Sequence, residues 1–126
     1  MTHRTPLARV RGLGSAREGT GHFWKQRVTA VSNIFLACFL IYLVAKFAGQ
    51  DYATVRAALS QPQHAIPVLL LVISGIIHMR LGMQTIIEDY VHSEGPKLAA
   101  LMLNTFFAIA VGLTSAFAVL KLSFGS

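Results

Sequence analysis

Charge is the scarcest ingredient of this 126-residue chain: charged residues make up 13% of it and hydrophobic residues 54%. Soluble domains carry about 25% charged residues. The few charges are also segregated, which leaves long runs almost without them. That pattern reads as a polytopic membrane protein rather than a soluble core. Cysteine is nearly absent. The single Cys38 lies inside an apolar run, so no intrachain disulfide can form, and it reads as a small buried hydrophobe. A phosphate loop is missing too. The glycines of GLGSAREGTG (Gly12 to Gly21) do not make GxGxxG and follow no strand. No aromatic-basic platform and no groove-reading helix accompany the net charge of +6, so nucleic acid is not the expected partner. The apolar run that starts near residue 28 is too long for a secretory signal core and lacks a convincing cleavage site. An Arg-rich, acid-poor leader suits a bacterial cytoplasmic tail or a mitochondrial transit segment equally.

Residues 1–27 hold Arg4, Arg9, Arg11, Arg17, Lys25 and Arg27 against Glu18 alone. Basic residues just before a first span place that end on the cytoplasmic or matrix side. Residues 1–21 show no helical period and read as an extended basic tail. HFWKQR (His22 to Arg27) is an interfacial entry, with Phe23 and Trp24 in the aromatic belt. Three spans follow, at about 28–47, 66–87 and 98–122, each long enough to cross roughly 30 Å of hydrocarbon. The fold class is therefore an all-α membrane protein with three transmembrane helices. Residues 1–27 form its tail and 28–126 its anchor. Between the first two spans, Tyr52 to Leu59 suits a short amphipathic surface helix. Pro62 and Pro67 bracket the start of the second span, and Pro96 suits the first turn of the third. Lys46 can snorkel. Asn33, Ser32, Asn104, Thr105, Thr114 and Ser115 read as helix-to-helix hydrogen bonders. Three helices leave much apolar surface uncovered, so a partner membrane subunit is expected.

The chemistry concentrates in Ser74 to Tyr90, SGIIHMRLGMQTIIEDY. An ionisable residue at membrane depth is costly and usually marks a site. Asp89 follows His78 by eleven residues, so at about 100° per residue both lie on nearly one side of a helix. They are about 16 Å apart along its axis. Ser74, Gly75, Gly82 and Thr85 share that side. Imidazole is a good axial ligand for haem iron, and flanking glycines would let a macrocycle lie close to the backbone. Close helix packing with a hydrogen-bonded histidine explains the same residues, and so does a proton relay. His3, His22, His64 and His92 fall near or outside the boundaries, so a two-histidine haem would draw its second ligand from another chain. Asp89-Tyr90 suits a solvated helix end. It equally suits a phenol donating to a quinone carbonyl beside a carboxylate. Arg80 points about 200° away from His78 and is expected to find an acidic or propionate partner, or to reach the nearer headgroups.

The spacing of His78 and Asp89-Tyr90 resembles the hydrophobic membrane anchor subunits of succinate dehydrogenase, complex II. HMRLGMQTIIEDYVH and GLGSAREGTGHFWKQRVTA are similar to the alphaproteobacterial and mitochondrial forms. The resemblance spans almost the whole chain, though the third span adds little to it. It implies that His78 is one axial ligand of haem b and its iron, with the other histidine on a cytochrome b556 subunit. It also implies that Tyr90 bonds ubiquinone with Asp89 beside it, and that Arg27 lies near the haem propionates or the quinone pocket; His22 is a weaker match. The iron–sulfur and flavoprotein subunits would carry the remaining cofactors, since one cysteine holds no cluster. The chain would be a non-catalytic subunit in a bacterial inner membrane, or a mitochondrial one. A cofactor-free anchor, a small proton- or ion-transport subunit and a fumarate reductase anchor are the alternatives.

Overall fold

Proline is confined to positions 6, 62, 67 and 96, and because it breaks helix interiors those positions delimit the architecture. The computed structural model describes residues 5–12 and 19–125. It contains a short α1 (Pro6–Val10), a long α2 (Gly19–Phe47), a surface helix α3 (Tyr52–Leu59), and two further long helices, α4 (Pro62–Tyr90) and α5 (Glu94–Phe124). Pro6 and Pro62 stand at helix starts, and Pro96 lies in the first turn of α5. Pro67 is the exception: it lies inside α4, where its missing N–H leaves the Gln63 carbonyl without its usual donor. No strand occurs among the described residues.

The three long helices, of 29, 29 and 31 residues, are each long and apolar enough to cross a membrane. Each runs past the span read from hydropathy. The physical reason is that apolarity marks where lipid begins, whereas a helix continues until something stops it. Nothing between Gly19 and Val28 does, so HFWKQR, which leads into the first span, is already part of α2. The tail read as non-helical contains α1 at Pro6–Val10; the rest of its glycine-rich stretch, residues 13–18, lies outside the described residues, as do His3 and Arg4. The surface helix expected over Tyr52 to Leu59 is present with those bounds.

Only residues 91–93 separate α4 from α5, which forces the two antiparallel. The start of α2, the end of α4 and the start of α5 therefore share one end of the bundle, and α3 lies at the other. There Arg56 Nη2 donates to the Gly125 carbonyl at 3.1 Å. His64 Nδ1 donates to the Ala58 carbonyl at 2.7 Å, with its ring against Phe39 and Phe47. Helix α4 is central and packs along both α2 and α5.

The α4–α5 seam uses small residues to bring backbones close. Ala108 is 1% exposed, and a Cβ on Gly112 would stand 3.3 Å from Ile76 Cγ2. Asn104 Nδ2 donates across the seam to the Arg80 carbonyl at 2.9 Å. Thr114 and Ser32 instead bond carbonyls of their own helices. The remaining core is small, with Leu43, Ala65, Leu81 and Ile87 buried. Phe35 and Phe117 are 72% and 66% exposed, an outer surface suited to acyl chains or to another membrane subunit. Cys38 is on this outer surface, exposed in the chain alone and not buried as its apolar neighbours suggest, because α2 is covered only on its α4 side.

Gly112→Leu is expected to lower the thermal midpoint of the purified protein, since overpacking a seam costs about 1–3 kcal/mol. Leu113→Ala, next to it but 67% exposed, is expected to shift the midpoint little.

Candidate haem and quinone site

The α2–α4 seam carries a longer row of polar side chains than the α4–α5 seam. His22, Gln26, Thr29 and Asn33 recur every third or fourth residue along α2, so they share one helical face. The matching face of α4 carries Ser74, Gly75, His78 and Gly82. Thr29 is buried, and its Oγ1 lies 3.2 Å from His78 Nδ1. Ser74 Oγ donates to the Thr29 carbonyl at 3.4 Å. One turn of α2 is thus held by residues 74 and 78, four apart on α4.

His78 is half-buried. Its Nδ1 is engaged by Thr29, and its Nε2 makes no hydrogen bond among the described residues. The two glycines beside it differ. A Cβ on Gly75 would meet nothing within 4 Å, whereas one on Gly82 would touch Gln26 Nε2 at 3.4 Å. Gly82 therefore accommodates α2, and only Gly75 opens onto free space. An imidazole with one nitrogen anchored, the other unengaged and an open glycine at i−3 fits an axial ligand. Among the described residues no three His, Cys, Asp or Glu side chains converge, so His78 has no intrachain companions for a protein-only metal site.

The other expected residues stand apart from His78. Asp89 and Tyr90 are the last residues of α4; both are exposed, Tyr90 to 78%. That suits residues meeting a ligand or partner at the membrane boundary. Arg27 is exposed, with its guanidinium carbon 5.0 Å above the Phe23 ring. It is two residues from Thr29 and so faces away from the seam. Arg80 has no carboxylate partner among the described residues. Its Nε donates to Thr105 Oγ1 at 3.4 Å, which ties it to α5 and leaves the side chain exposed.

Thr29 and Gln26 carry no signal of their own in the sequence, since a hydroxyl and an amide near a span entry are unremarkable. The period joining them to His22 and Asn33 was the available sign. Three atoms of that face, His22 Nε2, Gln26 Oε1 and Asn33 Oδ1, are buried without a partner. Such atoms are rare in finished structures.

Three long apolar helices, with a half-engaged histidine in one seam and an acidic-phenolic pair at one helix end, define a multi-pass membrane protein. The sequence profile described as the succinate dehydrogenase/fumarate reductase transmembrane subunit matches residues 1–114. Relatives include the succinate dehydrogenase hydrophobic membrane anchor subunit of Paracoccus denitrificans, 32% identical over all of this chain and 97% of its own. That of Rickettsia bellii is 33% identical over 84% of this chain and 85% of its own, and the membrane anchor subunit of Reclinomonas americana is 32% identical over 75% and 82%. The chain belongs to the succinate dehydrogenase/fumarate reductase transmembrane subunit family, as a membrane anchor. No solved structure matches it.

An orphaned buried amide oxygen costs about 1–3 kcal/mol. In the isolated chain, Asn33→Leu is therefore expected to leave the thermal midpoint unchanged or raise it, by differential scanning in detergent. A fall would mean that the Asn33 oxygen is satisfied by bound water.

Proposed function

We propose that this anchor, with a second membrane subunit of the cytochrome b556 type, holds the iron–sulfur and flavoprotein subunits of a succinate dehydrogenase on the membrane. In this reading it shares a haem b and forms part of the ubiquinone-reduction pocket. The observation that carries the haem assignment is the division of labour on His78, with Nδ1 held by Thr29 and Nε2 unengaged. The second histidine would come from the partner. When bound, the haem supplies a one-electron store beside the quinone.

At the pocket, Tyr90 would donate its phenol hydrogen bond to a quinone carbonyl and so stabilise the negative charge that oxygen gains on reduction. Asp89 next to it orients the phenol and hands on protons from the aqueous side. Arg27 sits on the exposed flank of α2, one helix away from His78, where propionates or the quinone head would meet a cation. The basic tail holds the N-terminus and the loop at 91–93 on the cytoplasmic side of a bacterial inner membrane. The corresponding side in a mitochondrion is the matrix. A cofactor-free anchor lacks a use for the unengaged Nε2 and the adjoining open space at Gly75.

In the complete complex, Tyr90→Phe is expected to lower succinate:quinone reductase activity at least about tenfold, a loss of about 1.4 kcal/mol. Succinate oxidation with a soluble artificial acceptor is expected to be unchanged. Equal quinone activity in the two proteins would remove Tyr90 from the pocket.

A further inference from the structure

We propose that Thr29 is a positioning residue that fixes the tautomer of His78 and raises the electron-donating power of its free nitrogen. A threonine hydroxyl has one hydrogen and two lone pairs. Three groups lie within reach of Thr29 Oγ1: the Lys25 carbonyl at 2.7 Å, the Gln26 carbonyl at 3.2 Å and His78 Nδ1 at 3.2 Å. Both carbonyls are acceptors only, and both belong to the preceding turn, where a helical threonine habitually sends its hydrogen. The shortest contact, to Lys25, takes it. A lone pair then remains for His78, and two acceptors cannot bond one another, so Nδ1 carries the imidazole proton and donates it. Nε2 is left as the bare nitrogen.

The chain of bonds runs from His78 Nδ1–H to the Thr29 hydroxyl to the Lys25 carbonyl. Each donor in such a chain polarises the next. A ligating histidine that donates through its other nitrogen becomes a more basic ligand. The bond from Ser74 to the Thr29 carbonyl keeps the hydroxyl in register with the ring. Cutting the bond weakens donation to a ferric iron more than to a ferrous one, so the haem midpoint potential moves upward. This extends the assignment of His78 as a haem ligand and rests on it.

The test titrates the haem of the purified complex optically in wild type, Thr29→Val and Thr29→Ser. The expected result is an upward shift of the midpoint potential in Thr29→Val, with b-type absorbance kept, and the wild-type potential in Thr29→Ser. An unchanged potential in Thr29→Val overturns the proposal. Should Thr29→Val fail to assemble, Thr29→Ala, which adds no bulk, is titrated in its place under the same criterion. A wild-type complex with no haem would sink the ligand assignment instead. The tautomer is then read directly by 15N NMR of the histidine-labelled complex. A protonated Nδ1 on His78 that is lost in Thr29→Val supports the proposal, and a protonated Nε2 in wild type overturns it.

Discussion

A hydroxyl and an imidazole meet 3.2 Å apart in the seam between two long apolar helices. The hydrophobic effect does not drive helices together in lipid, where acyl tails are as apolar as leucine. What remains is close packing and hydrogen bonding, and both seams use both, with Asn104 bonding the Arg80 carbonyl in one and Thr29 meeting His78 in the other. Along α4–α5, Ala108 and Gly112 let the backbones approach. Along α2–α4, Thr29 meets His78 and Ser74, and Gln26 lies over Gly82. The second seam is the more expensive, because polar groups in oil must be paired. Its persistence is best understood by what it positions.

The central helix therefore has two working faces. One presents Ile76 and the Arg80 carbonyl to α5 and is structural. The other presents the ring of His78 to α2. The same helix ends on Asp89 and Tyr90, so one rigid rod sets the distance between the membrane interior and its boundary. The unpartnered oxygens of Gln26 and Asn33 and the unpartnered nitrogen of His22 lie on the α2 side of that seam. The exposed apolar flanks of α2 and α5 suit a second membrane subunit.

Much of this was legible in the chain and part of it was not, for identifiable reasons. Hydropathy located the spans, and the amphipathic run from Tyr52 to Leu59 gave a helix of those bounds. Helical angle alone put Ser74, His78 and Asp89 on one side of α4. The helix carrying the first span begins earlier than the span itself, at Gly19, because no breaker separates Gly19 from Val28. Cys38 sits in an apolar run that suggests burial, but α2 packs chiefly on α4 and leaves it exposed in the chain alone. Gly82 could serve a flat ligand or a close helix, and Gln26 at its face fits the second. Above all, Thr29 was invisible: what matters is which carbonyl takes its single hydrogen, and that depends on a contact 49 residues away.

The claim on which the account turns is that His78 binds iron through Nε2. Near-infrared magnetic circular dichroism of the oxidised complex, which identifies axial ligand pairs, tests it most directly when the wild type is compared with His78→Met. The account predicts a bis-imidazole signature in the wild type that becomes a mixed imidazole–thioether one or disappears in the variant. A bis-imidazole signature that survives the substitution would contradict it.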